Sequence, residues 1–183
     1  MLGDSTAYGV GADKPEESLA GRVAAYAGMT YVENRASSGA VTKDLRGQIE
    51  AATLERYDVI LIQIGGNDII QFHNPKRSAD ELELALRALP KAEKVVILSA
   101  GDVGGATLFP SPITWIHSWL NKKYHLSFTH AVARAGVGEY INLGLSPSTQ
   151  IITNEPEIYL AADGLHPSSA GYGLWFEEVV PRL

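Results

Sequence analysis

The sequence contains no cysteine. That excludes disulfides, thiolate metal sites and a cysteine nucleophile. It also lacks any apolar run of the roughly 18 residues that a membrane-spanning helix requires. The longest candidates, "DVILIQIGG" and "KVVILSAG", have the length of strands. Positive charge is sparse and scattered: 15 Lys and Arg stand against 21 Asp and Glu, a formal charge of −6. Nucleic acid is therefore not an expected partner, because a phosphate backbone is gripped by clustered Lys and Arg. There is no internal repeat, low-complexity tract or linker. No signal peptide is visible, and with only Met1 and Leu2 ahead of Gly3 that observation carries almost no information.

What is present suits one packed body. A chain of 183 residues that is 45% hydrophobic can build a single core, so one domain over residues 1–183 is expected. Short β-rich runs alternate with amphipathic stretches. "ESLAGRVAAYAG" puts Leu19, Val23 and Tyr26 or Ala27 on one helical face and stops at Gly28. "MTYVENR" reads as a weak strand, and Val41, Leu45, Ile49 and Ala52 follow at helical spacing. Asp58–Ile64 and Val95–Leu98 read as buried strands. Ser78-Ala-Asp-Glu81 has the form of a capping box opening a helix with Leu82, Leu86 and Leu89. Leu108–Ala135 is expected to hold one or two helices, "VGEYINL" the last strand, and Ser168–Val180 a closing helix ended by Pro181.

Near-continuous apolar strands alternating with helices predict a mostly parallel sheet covered on both faces, a three-layer α/β/α sandwich. Ligands of such sheets sit beyond the carboxyl ends of the strands. Residues with chemistry fall there: Gly65-Gly66-Asn67-Asp68 and Gly101-Asp102 follow the two clear strands, and Ser37-Ser38-Gly39 follows the weak one.

Taken singly, each of these pieces reads as an ordinary turn. Gly3-Asp4-Ser5 has turn composition, Asn67-Asp68 could close a strand, Gly39 alone carries almost no information, and Asp163-Gly164 is a strong turn dipeptide beside a loop histidine. Their joint order is more specific. Ser5 in "GDS", Gly39 in "NRASSGAVTKDL", Asn67 in "GGND" and His166 in "DGLHP" resemble the SGNH hydrolases, also called the GDSL esterase and lipase family, over nearly the whole chain. The resemblance implies a flavodoxin-like sandwich and a serine esterase needing no metal or organic cofactor. It implies that Ser5 attacks the ester, that His166 takes its proton, and that Asp163 orients His166. It assigns the oxyanion to the N–H groups of Ser5 and Gly39 and the side-chain amide of Asn67. Each role makes physical sense. A serine hydroxyl needs a neighbouring base, an imidazole titrates near neutrality, and a carboxylate three residues before the ring can reach its other N–H. Asp4 and Asp68 read as turn-stabilising residues, and Pro167 suits the start of the closing helix.

Other signals are weaker. His117, His125 and His130 include no pair at i,i+4 and have no Asp or Glu between Asp102 and Glu139, so core or surface histidines are expected and no metal site. "GVGADK" lacks the ending of a phosphate loop, and Gly9-Val-Gly11 lacks a third glycine at dinucleotide spacing. Leu108, Phe109, Trp115, Ile116 and Trp119 read either as core or as walls of an acyl pocket, with Phe109 and Trp115 the pocket candidates.

In the family a strand runs into the Gly-Asp-Ser turn. Two residues are too few for one, so either the native polypeptide extends upstream or a stub suffices. An upstream targeting segment would make this a cell-envelope or secreted protein, and its absence a cytoplasmic one. The expected partner is a small acyl ester or thioester, with carbohydrate deacetylation and lysophospholipid hydrolysis both open. A non-catalytic ester- or glycan-binding module and an acyltransferase are the rival readings. The sequence carries no signal for oligomeric state.

Overall fold

A computed structural model describes residues 1–108, 110 and 112–183. Four parallel strands form one sheet in the order β1 (Leu2–Gly3), β2 (Arg56–Gln63), β3 (Lys91–Leu98), β4 (Glu139–Ile141). Leu2 registers with Ile62, Ile62 with Ile97, and Leu98 with Ile141. Among the described residues the helices are α1 (Ser5–Tyr8), α2 (Leu19–Tyr26), α3 (Leu45–Glu50), α4 (Gly66–Ile70), α5 (Pro75–Arg87), α6 (Ile113–Ala135), α7 (Pro147–Asn154), α8 (Pro156–Tyr159) and α9 (Ser169–Val179).

The alternation of side chains along each strand builds two cores. Ile60, Ile62 and Ile97 face Leu45, Leu82, Leu86, Tyr124 and Phe128 of α3, α5 and α6. Leu61, Val96, Leu98 and Ile141 face Leu19, Val23, Tyr172 and Val179 of α2 and α9. The result is the expected three-layer sandwich. β2 and β3 start earlier than their apolar runs suggest, because their first halves are exposed and polar and pair across the edge, as Arg56 Nη2 does with Glu93 Oε1 at 2.7 Å.

The lead-in to Gly3 is a two-residue strand, flanked on both sides. Beyond β1, residues 33–37 run as an extended segment: Met1 N donates to Glu33 O (2.7 Å), Arg35 N to Met1 O (2.9 Å) and Ser37 N to Gly3 O (3.1 Å). Here lies the weak strand of the sequence. Its neighbour β1 is too short to sustain a regular ladder, so a side chain completes the pairing. The amide of Gln48, from α3, accepts from Gly3 N at 2.7 Å and donates to Gly3 O at 2.8 Å, standing where a peptide group of another strand would be.

Two helix ends differ from expectation. α5 starts at Pro75, capped by Asn74, whose Oδ1 accepts from Lys76 N (3.0 Å) and Arg77 N (3.2 Å); Ser78 lies inside the helix. Pro167 precedes the cap of α9, and Ser168 Oγ accepts from Gly171 N at 3.2 Å. Leu108–Ala135 contains one long helix, α6.

Candidate active site

The carboxyl ends of all four strands open on one face, and the loops leaving them meet there. Directly after β1, Asp4 caps α1: its Oδ1 accepts from Thr6 N at 3.0 Å and from Thr6 Oγ1 at 2.6 Å. Ser5 is the first helical residue, so its hydroxyl stands above the sheet edge. Near the other end of the chain, Leu160 and Pro167 form an antiparallel bridge that closes a tight loop. Asp163 Oδ1 organises that loop by accepting from Leu165 N (2.9 Å) and His166 N (3.0 Å).

The two turns converge. His166 Nδ1 lies 2.5 Å from Asp163 Oδ2, and His166 Nε2 lies 2.7 Å from Ser5 Oγ. A carboxylate can only accept, so Nδ1 carries the ring proton and Nε2 is left to accept from the Ser5 hydroxyl. The meeting is held by packing. Tyr172 of α9 donates its buried hydroxyl to Val10 O (2.7 Å) and Thr6 O (3.1 Å), tying the helix after His166 to the turn that carries Ser5. Gly11, at φ +93°, lies against the same loop: a Cβ there would overlap the Pro167 carbonyl oxygen and stand 3.2 Å from the His166 Cβ.

Asn67 follows β2 at the start of α4 and donates through Nδ2 to Ala40 O at 3.0 Å, which uses one of its two amide hydrogens. Gly39 precedes Ala40 in a turn closed by Ala40 N donating to Ser37 O at 3.1 Å. Its φ of +82° is the conformation that the third residue of a type II turn requires and glycine supplies. Gly39 is on the exposed rim, outside the residues that line the cleft beside Ser5. Among the described residues, neither Ser5 N nor Gly39 N has a hydrogen-bond acceptor.

Asp68 does more than stabilise its own turn. Fully buried, it accepts from Thr42 N (2.8 Å), Thr42 Oγ1 (2.9 Å) and Ser78 Oγ (2.8 Å). It therefore clamps the loop after Gly39 to the helix that bears Asn67. No sequence signal marks this, because Thr42 and Ser78 are brought to Asp68 only by the packing of α5 under the sheet edge.

Charge is arranged unevenly. Burial pushes the Asp4 carboxyl up, against the opposing pull of the Thr6 hydrogen bonds and of His166. Partial burial also acts to raise Asp163, but the hydrogen bonds from the His166 ring and from the His166 and Leu165 N–H groups outweigh it and hold this carboxyl below its ordinary range.

The cleft running from Ser5 has largely apolar walls, formed by Ile70, Val103, Ile152, Leu160, Leu165 and Trp175, with Asp102 and Thr153 among its polar groups. α7 and α9 contribute residues that the sequence did not single out, because their apolar positions look like ordinary core. Of the two pocket candidates, Phe109 lies outside the described residues. Trp115 is a correction: it is 74% exposed on the solvent face of α6 and does not line the cleft. His117 and His125 are buried in the protein, and among the described residues no group of three His, Asp or Glu is placed to hold a metal ion.

Residues 1–174 match the GDSL-like Lipase/Acylhydrolase family. The GDSL-like esterase Rv1075c of Mycobacterium tuberculosis is 31% identical over 184 residues, covering 95% of this chain and 57% of that protein. Among solved structures, a two-domain esterase (CEX) active on acetylated mannans superposes with a TM-score of 0.72 at 18% identity, over 98% of this chain and 47% of that one. Phospholipase A1 from Streptomyces albidoflavus superposes with a TM-score of 0.69 at 17% identity, over 100% of this chain and 97% of that one. This chain thus spans about half the length of its curated relative and of the two-domain esterase. At such identities the superpositions establish the fold, and the family match establishes the lineage. The chain belongs to the GDSL-like lipase/acylhydrolase family.

Proposed function

We propose that residues 1–183 form one SGNH-hydrolase-like domain that hydrolyses acyl esters through a covalent intermediate on Ser5. The observation that carries this reading is the continuous hydrogen-bonded chain from Ser5 Oγ through His166 to Asp163, with heavy-atom distances of 2.7 and 2.5 Å. His166 Nε2 accepts the Ser5 proton as Oγ bonds to the ester carbonyl carbon. Asp163 keeps the ring in the productive tautomer and stabilises the imidazolium. The carbonyl oxygen, now negative, is received by Ser5 N–H, Gly39 N–H and the free hydrogen of the Asn67 amide. When the tetrahedral adduct collapses, the alcohol leaves with the proton from His166. Water, deprotonated by the same ring, then attacks the acyl carbon; the bond to Ser5 Oγ breaks, the carboxylic acid leaves, and His166 returns the proton to Ser5. No step calls for a metal or organic cofactor.

The apolar walls beside Ser5 suit an acyl group of modest length, and Asp163 holds its charge where the imidazolium needs it. Pre-steady-state hydrolysis of p-nitrophenyl acetate tests the proposal. The wild type should release a burst of nitrophenol close to one equivalent per protein, and Ser5→Ala should show neither burst nor turnover. Turnover that survives in Ser5→Ala would remove Ser5 from the reaction.

A further inference from the structure

Several apolar residues in the first half of α6 are neither core nor cleft wall. Trp115 is 74%, Trp119 58% and Ile116 46% exposed, and Leu126, about one turn beyond Lys122, is exposed as well. At 100° per residue, Trp115, Ile116, Trp119, Lys122, Lys123 and Leu126 fall within one stripe about 120° wide. The opposite face carries the buried His117, Leu120, Tyr124 and Phe128, so α6 is apolar on both sides and covered on only one.

Charge states what the open side suits. Between Asp102 and Glu139 there is no acidic residue, in a chain whose formal charge is −6. Lys122 and Lys123 stand exposed in the stripe without an ion-pair partner among the described residues, and Lys123 Nζ lies 5.4 Å over the Trp119 ring. Arg134, further along α6, is neutralised by Glu83 and Asp80 of α5 and takes no part. Exposed indoles beside unpaired lysines, on a helix lying flat on the protein, match an interfacial surface: indole sits at headgroup depth and lysine reaches anionic lipid. Seven residues before Trp115, the exposed Leu108 donates its N–H to Gly164 O at 3.3 Å, in the loop that carries Asp163 and His166.

We propose that the exposed face of α6, centred on Trp115, Trp119, Lys122 and Lys123, docks this protein onto an anionic lipid surface. The occupant is the lipid surface and not a second copy, because a two-fold dimer through this face would set Lys122 and Lys123 against the same lysines of its partner.

Co-sedimentation with vesicles of phosphatidylcholine alone, and of phosphatidylcholine mixed with phosphatidylglycerol, tests this. The wild type should sediment with the mixed vesicles, with a blue shift of tryptophan emission, and should release as salt is raised. It should remain in solution with phosphatidylcholine alone. Lys122→Gln with Lys123→Gln should weaken partitioning about 30-fold, about fivefold per lysine. Trp115→Ala with Trp119→Ala should abolish the blue shift and weaken binding at least tenfold. All of these variants should keep the wild-type circular dichroism and wild-type turnover of soluble p-nitrophenyl acetate. Failure of the wild type to sediment with mixed vesicles would overturn the proposal, as would binding by both double variants equal to wild type. So would a dimer on size-exclusion that the tryptophan double variant dissolves, since a second copy would then be the occupant.

Discussion

Asp163 has 46% of its side chain in water, yet three hydrogen bonds hold its carboxyl below the ordinary range. The sign follows directly. A lowered value keeps Asp163 ionised to lower pH than a free aspartate, so the measured pH profile of kcat/KM should carry no step from Asp163 at or above the ordinary carboxylate range, and a step there that Asp163→Asn removes would contradict it. Asp163→Asn should lower kcat by about 10⁴, because the amide favours the wrong tautomer of His166. Asn67→Ala should lower kcat by about 10²–10³, because one oxyanion donor is lost, while KM changes little. Steady-state kinetics checks both. At this scale the meeting of Ser5, Asp163 and His166 was legible only in the joint order of their turns, because each turn taken singly has ordinary composition. Trp115 misled because apolarity alone does not say which side of a helix is covered. Asp68 was underestimated for the opposite reason: its partners Thr42 and Ser78 are distant in sequence and carry no motif.

Elements depend on groups that a strand or helix pattern does not display. Gln48 supplies the acceptor for Gly3 N–H, which the neighbouring segment does not, so Gln48→Ala should destabilise the protein by about 1–3 kcal/mol, the cost of leaving a buried N–H unpaired. Chemical denaturation measures this, and an unchanged midpoint would mean that water serves Gly3 equally well. Gly11→Ala places a methyl against Pro167 O and next to His166, at a φ that disfavours side chains. It should lower both the melting temperature and kcat, because the loop that shifts carries the base. The order of strands and helices could be read from hydrophobic period, whereas their ends could not. β2 and β3 begin in exposed polar residues that carry no burial signal, and Asn74, not Ser78, caps α5. A cap is chosen by where the chain turns in space, and two competent capping residues four positions apart look alike in sequence.

On the scale of the whole molecule, stability should respond to acid through groups far from the cleft. Burial lowers the His125 imidazole to about 4, and hydrogen bonds from Tyr57, Arg35 and Thr53, against an opposing desolvation, lower Glu33 to about 2. Both are depressed in the fold, so both contribute stability at neutral pH that is lost as pH falls: His125 from about 6.5 towards 4, and Glu33 from about 4.5 towards 2. Melting temperature followed from pH 7 downward should fall across the first window, and His125→Gln should flatten that fall. The three-layer architecture was legible at this scale, since a parallel sheet buried on both faces leaves its mark in apolar strands. The lipid-facing side of α6 was not, because nothing but packing distinguishes an uncovered tryptophan from a core one. The central claim is that the hydroxyl following β1 is the nucleophile. Intact-mass and peptide mapping after reaction with a fluorophosphonate measures it most directly: one adduct on Ser5, absent in Ser5→Ala and strongly slowed in His166→Ala, is the predicted result. A folded wild-type protein that forms no adduct, or one whose adduct maps to another residue, would contradict the account.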